Sequence, residues 1–299
     1  VEDEVAGPDP MALSWVALVL GHNDLRVLRG MREGGSPWLL RAGDRELVLR
    51  VGSPGDLAQI VTEVRALQLA AQAAIPAPRL LNYDDGSAAG VPLVLTGCLA
   101  GSSQIPPDPD PARLAALGGV AARLHTVPLE PSAELPLRTR PIAGEDFDRM
   151  RREQEPNELL EQAEAVVHST RPASGHSVFV HGDLWQGNTL WDGGRLTGLV
   201  DWDCAGAGDP GVDLGSLRCD AAVCYGPEMA AHVLTGWEQA AGQPARDVAY
   251  WDVVGALATP PDMGWFTDSI RAQGHHDLDQ VTALARRDLF LRQALDRLR

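Results

Sequence analysis

The chain has 299 residues, 44% of them hydrophobic, which is enough apolar material for a real core in two lobes or one large domain. Its net charge of -16, from 25 basic against 41 acidic residues, comes without any long Lys/Arg run. That field sets nucleic acid aside as a partner and gives a weak preference for a cationic small molecule.

The first ten residues, Val1 to Pro10, read as a disordered tail or an alternative start. Met11 to Leu20 is apolar but too short to span a bilayer, and its upstream flank is acidic, so neither a membrane span nor a signal peptide is expected. The next third reads as strands with one helix. Leu25 to Leu28 is a short apolar run, and Gly30 to Pro37 is rich in turn formers. Trp38 to Ala42 and Glu46 to Val51 flank Gly43-Asp44, the pattern of a hairpin. Pro54 and Asp56 signal a helix start, after which Ile60, Val64, Leu67 and Ala71 share one face. Leu80-Leu81 and Val91 to Leu95 read as further strands, and Pro106 to Pro111 as a loop. A helix is expected from Ala112 to His125, an irregular connection from Val127 to Pro141, and a helix broken at Pro156 between Glu145 and His168. Ser177 to Val180 and Leu196 to Val200 are short strands, and the last ninety residues carry helical spacing.

Four cysteines, Cys98, Cys204, Cys219 and Cys224, form no C-x-x-C pair, and the Cys219/Cys224 spacing fits no common zinc pattern. Buried reduced thiols are expected, and with them a cytoplasmic location.

Chemistry concentrates in one stretch. Val178-Phe-Val leads into His181-Gly182-Asp183, and Asn188 follows. A strand pair turning at Asp192-Gly193-Gly194 then ends at Asp201-Trp202-Asp203. A hairpin would bring Asp183, Asn188 and Asp201 to one end. Phosphoryl transfer needs such a set: one carboxylate to orient the attacking hydroxyl and take its proton, an amide oxygen and a second carboxylate to hold Mg²⁺ on nucleotide phosphates.

The string H-G-D-x-x-x-x-N with V-D-W-D after it resembles the aminoglycoside phosphotransferase/choline kinase-like family of small-molecule kinases. Gly206-Ala-Gly-Asp-Pro-Gly-Val-Asp213-Leu resembles the G-D-P-x-x-D-L continuation of that family, and Leu124-His125 a motif on its helix after the hinge. The resemblance implies an α+β, two-lobed protein-kinase-like fold, with a β-rich N-terminal nucleotide-binding lobe over 11–97 and a mostly helical catalytic and substrate-binding lobe over 98–299. It implies Asp183 as catalytic base, Asn188 and Asp201 as metal ligands, and His181 and Asp213 as structural support. ATP or GTP with Mg²⁺ is the implied cofactor, bound between the lobes. Gly34, Gly35 and Ser36 would lie over the phosphates, Val48 beside adenine, and backbone groups of Gly97 and Leu99 at its edge. Arg50, paired with Glu63, stands where protein kinases carry lysine; its planar, permanently charged fork is not equivalent to an ammonium.

Several residues leave two readings open. Asp203 is either a support of the metal site or a solvated loop residue, and Asp209 a helix cap. Trp185, Asp262 and Trp265 either shape the acceptor pocket or belong to packing and connecting loops. The expected activity is transfer of a γ-phosphoryl group to a hydroxyl of an aminoglycoside-like, sugar or amino-alcohol compound, in antibiotic resistance or in metabolism. A catalytically weak, kinase-like nucleotide-binding module is the alternative. A monomer or homodimer is expected.

Overall fold

The computed structural model describes residues 7–21, 24–32, 35–170 and 177–299. The chain divides into two compact units, one ending at Ala100 and the other starting at Gly101.

The first unit opens with α1 (Pro10–Leu20), the apolar segment read as a bare run in the sequence. Asp9 caps it by accepting the Met11 N–H at 2.7 Å, Pro10 occupies the first turn, and Gly21 closes it with φ 72°. Asp9 and Pro10, expected in a tail over 1–10, therefore belong to this helix and its cap; residues 1–6 lie outside the described part. The strands β1 (Leu25–Arg32), β2 (Gly35–Ala42), β3 (Arg45–Val51), β4 (Leu80–Asp85) and β5 (Pro92–Gly97) form one antiparallel sheet in the order β1-β2-β3-β5-β4. Alternation along β3 decides its faces. Leu47 and Leu49 enter a core with Leu40, Leu93, Leu95, Trp15 and Val16, while Val48 and Arg50 point the other way. The helix α2 (Leu57–Gln72) starts after a capping box in which Ser53 and Asp56 satisfy each other's amides. It buries Ile60, Glu63, Val64, Leu67 and Ala70; Ala70 rather than Ala71 completes the face.

The second unit is mainly helical, as expected. It runs through α3 (Pro111–Leu124), β6 (Leu137–Arg138), α4 (Phe147–Arg152), α5 (Glu158–Ser169), β7 (Val178–Val180), β8 (Thr189–Asp192), β9 (Arg195–Leu199) and β10 (Gly206–Gly208), then α6 (Gly211–Tyr225), α7 (Ala230–Ala241), α8 (Val248–Leu257), α9 (Gly264–Ala272) and α10 (Gln280–Arg297). Residues Glu153 to Asn157, around Pro156, separate α4 from α5, and Asn157 caps the second helix. The strands form a small sheet β6-β10-β7 and the hairpin β8-β9. Gly193 and Gly194, both at positive φ, turn that hairpin.

Two glycines set the helix spacing. A methyl group on Gly118 of α3 would fall 2.0 Å from the Val233 carbonyl of α7, and one on Gly236 would fall 1.9 Å from the Ala115 carbonyl. These helices touch backbone to backbone. Behind them α6 is buried along almost its whole length, so both its polar and its apolar residues face protein.

Candidate active site

The loop from His181 to Asn188 leaves β7 and returns to β8, and the buried helix α6 holds it from below. Asp213, in the first turn of α6 and fully buried, accepts the His181 N–H through Oδ2 at 2.8 Å and the Gly182 N–H through Oδ1 at 2.8 Å. His125, just past α3, donates Nε2–H to the same Oδ2 at 3.1 Å. The tautomer follows from the other ring nitrogen: Nδ1 accepts the Trp237 indole N–H at 2.9 Å, so the proton sits on Nε2. Burial alone would push the Asp213 carboxyl up; the His125 bond and the neighbouring imidazoles and amides hold it below its ordinary value. Asp213 is thus an ionised acceptor that fastens the start of this loop to α6.

His181 is fully buried. Its Nε2 donates to the Val200 carbonyl at 3.0 Å, and its ring lies 4.5 Å from that of Trp202. Burial drives its pKa down, so it carries no charge to relay. Val200 in turn donates to the Asn188 carbonyl at 2.9 Å, tying the end of β9 to the loop one residue before Asp201. Asp201 itself sits at φ 65°, a left-handed conformation that Asp tolerates and most side chains avoid.

Asn188 ends a short 3₁₀ turn, Gln186–Asn188, that carries its amide back to Asp183. Its Nδ2 donates to the Asp183 carboxylate at 2.9 Å and to the Asp183 carbonyl at 2.9 Å. With the nitrogen so engaged, the amide oxygen is the atom of Asn188 that could serve as a ligand. Asp183 has its pKa raised to about 7, first by burial, then by the charges of Asp201 and Asp203, against the opposing bond from Asn188. Carboxylates that repel one another beside an amide oxygen offer hard oxygen donors, the kind a divalent cation such as Mg²⁺ takes. Among the described residues no three His, Cys, Asp or Glu side chains form a protein-only metal cage. An amide, one or two carboxylates and nucleotide phosphates are what Mg²⁺ commonly takes instead.

In the first unit, Arg50 on β3 donates Nη1–H to Glu63 of α2 at 3.0 Å, both side chains mostly buried. Val48 is half-buried two residues away on the same strand face. Other expectations there need correction. Gly34 lies outside the described residues. Gly35 and Ser36 belong to β2 rather than to a loop, because β1 and β2 run on to Arg32 and from Gly35. The Ser36 hydroxyl both donates to the Val51 carbonyl and accepts the Val51 N–H, so it fastens β2 to β3. The Gly97 N–H is donated to the Arg79 carbonyl at 2.9 Å and is closed to a base; Leu99 lies just beyond the strand.

On the acceptor candidates, Trp185 packs over Gly187, where a methyl group would fall 2.3 Å from the indole. Its ring lies 6.1 Å from Phe266, which lies 6.1 Å from Trp265, which stacks on Phe147 at 6.4 Å. Trp265 is 43% exposed. Asp262 is exposed, and its carboxylate accepts the Gly264 N–H at 2.9 Å, a local turn bond at the start of α9. Asp209 makes the same kind of turn bond just before α6, accepting the Gly211 N–H at 2.8 Å; Pro210, not Asp209, holds the capping position. Sequence reasoning passed over Ile142, whose N–H donates to the Gly182 carbonyl at 2.7 Å from a left-handed conformation with φ 49°. That is strain stored beside Asp183 in a β-branched residue. It also passed over Asp220 and Gln186, although Asp220 stands two helical turns after Asp213.

The phosphotransferase enzyme family model matches residues 27–252. The chain belongs to this phosphotransferase family. Viomycin phosphotransferase of Streptomyces vinaceus is 40% identical over 84 residues, which cover 26% of this chain and 26% of that protein. The macrolide 2'-phosphotransferase MphH from Brachybacterium faecium has a TM-score of 0.60 at 21% identity, covering 92% of this chain and 97% of that one. A thermostable mutant of aminoglycoside phosphotransferase APH(4)-Ia, in ternary complex with AMP-PNP and hygromycin B, has a TM-score of 0.56 at 17% identity, covering 95% and 98%. At such identities the solved structures speak for the fold, which is the protein-kinase-like α+β fold expected of this phosphotransferase. Among its described residues, no helix is long and apolar enough to cross a membrane.

Proposed function

We propose that this phosphotransferase moves the γ-phosphoryl group of ATP or GTP to a hydroxyl of a small-molecule acceptor, an aminoglycoside-like, sugar or amino-alcohol compound. The observation that carries the reading is the Asp183–Asn188 pair on a loop buttressed by Asp213, with Asp201 entering from the neighbouring strand end. Asp183 is the base: a carboxylate whose pKa is raised to about 7 is matched to accepting a proton from an alcohol near neutrality. Asn188 and Asp201 are the residues that would hold Mg²⁺, which when bound supplies charge neutralisation on the nucleotide phosphates. The Arg50–Glu63 pair is assigned to the phosphates, with Val48 and Leu99 near the base. Trp185, Phe266 and Trp265 form the aromatic side of the acceptor site, with Asp203 near the reacting hydroxyl. The similarity to enzymes named for viomycin, macrolide and aminoglycoside substrates supports a natural-product acceptor, and four free cysteines support a cytoplasmic location.

The test is a transfer screen with ATP and GTP, each γ-labelled, against aminoglycosides, macrolides, viomycin, amino sugars and amino alcohols, with Asp183→Asn as control. Label should pass to at least one acceptor and depend on Mg²⁺ and Asp183. Full transfer by Asp183→Asn would overturn the mechanism. Nucleotide binding without transfer to any acceptor would favour the catalytically weak module.

A further inference from the structure

The catalytic loop is gripped at two places, and only the first belongs to the recognised pattern. Asp213 holds its beginning at His181 and Gly182. Seven residues later, two turns along the same face of α6, Asp220 is buried beneath its middle. Asp220 Oδ2 accepts both the backbone N–H of Gln186 at 3.3 Å and its side-chain Nε2–H at 2.9 Å. The rest of Gln186 is equally engaged. Its Oε1 accepts the Tyr225 hydroxyl at 3.3 Å, and its backbone carbonyl accepts the Thr189 hydroxyl. Thr189 in turn accepts the Trp191 indole N–H at 2.9 Å.

Gln186 begins the 3₁₀ turn that ends at Asn188, and no side chain of the usual capping position serves that turn. Its first amide would be an unsatisfied buried donor without Asp220. A buried carboxylate is expensive to desolvate, and an apolar residue of similar size commonly packs as well or better. What the carboxylate contributes is geometry: one oxygen accepting from two points of the same residue fixes both the position and the rotation of the turn.

We propose that Asp220, acting through Gln186, is a positioning residue for Asn188, setting where its amide oxygen points and so how tightly the metal-nucleotide is held. The inference rests on the reading of Asn188 as a metal ligand. Asp220 touches neither the reacting atoms nor the metal, and its effect reaches them only through the turn.

The experiment uses the full chain with Asp220→Leu, Gln186→Leu and Asp220→Asn. Amide hydrogen exchange over 184–190 is read in the nucleotide-free protein, and Mn²⁺ binding in the presence of ADP is read by electron paramagnetic resonance. Asp220→Leu and Gln186→Leu should each speed exchange in this segment, and weaken Mn²⁺ binding, by about tenfold, the factor expected for a lost hydrogen bond to a charged group. Asp220→Asn keeps an oxygen that accepts both bonds and should stay near the parent in both readouts. Parental exchange and Mn²⁺ affinity in both Leu variants would overturn the proposal. So would faster exchange at unchanged Mn²⁺ affinity, which leaves Asp220 a purely structural residue. Gln186→Leu keeps the test open if Asp220→Leu fails to fold. A parent that binds no Mn²⁺ with ADP would instead sink the metal reading of Asn188, and the proposal with it, while the exchange data still report on the loop.

Discussion

Replacing Asp183 with Asn should destroy transfer and, in the absence of metal and nucleotide, stabilise the protein. Asp183 carries a pKa of about 7 in place of an ordinary 3.8. Between those values the folded chain keeps a proton the unfolded chain has lost, so stability falls as pH rises from about 4 to about 7 and stays low above that. A gap of roughly three units corresponds to about 4 kcal/mol. Asp183 retains partial access to water, which screens the repulsion, so about half of that is the working figure, about 2 kcal/mol. Asn removes the charge yet keeps an oxygen to accept from Asn188. Thermal unfolding at pH 8 with a chelator present should therefore show Asp183→Asn melting about 4–8 °C above the parent. At pH 5 the gain should shrink to about a third, because only about one unit separates that pH from the ordinary value. Transfer activity should fall by about 10²–10⁴. A variant no more stable than the parent at pH 8, or equally stabilised at pH 5 and pH 8, would refute the argument that burial and the neighbouring carboxylates raise this pKa.

The same shift sets the rate profile: kcat/KM for the acceptor should drop about tenfold per pH unit below about 7 as Asp183 takes up its proton, and a flat profile from pH 5.5 to 8.5 would remove Asp183 as base. Gly182→Ala places a methyl group 2.0 Å from the Cys204 carbonyl at φ 77°. Left-handed strain of about 1–2 kcal/mol and overpacking of about 1–3 kcal/mol should together lower the melting temperature by about 4–20 °C, read by calorimetry. Arg50→Met should raise the nucleotide KM about tenfold or more while leaving the acceptor KM within about twofold, since it removes the charged contact proposed for the phosphates and changes no residue of the second unit. An unchanged nucleotide KM would show that the Arg50–Glu63 pair is only structural.

The candidate catalytic loop stood out because its signal is local. Asp183 and Asn188 lie within one turn-sized segment, and Asp201 follows a hairpin announced by Asp192-Gly193-Gly194. What stayed hidden depends on neighbours distant in sequence. Ser36 looked like loop chemistry because serine and two glycines mark turns, yet its hydroxyl finds its partners fifteen residues on, at Val51. The Gly97 amide is taken by Arg79, on the far side of β4's start, which no single-strand pattern encodes. The apolar run of α1 gave no helical alternation, since apolar residues also stand on its exposed side, at Met11 and Leu18; the Asp9-Pro10 cap was the signal available and was assigned to a tail. Asp220 was the most accessible omission, because a second Asp at a helical repeat from Asp213 already placed two carboxylates on one face.

The contact between Gly118 and Gly236 bears on how this chain could be altered. At these two positions there is no side chain to exchange, and any added one would strike the carbonyl of the facing helix. Along α6, enclosed on nearly every side, the side chains are present but have little room to change in size. A library meant to retarget the enzyme to a new acceptor gains little from these helices and should begin at Trp265, the exposed member of the aromatic row, because Trp185 and Phe266 also pack against the helical core.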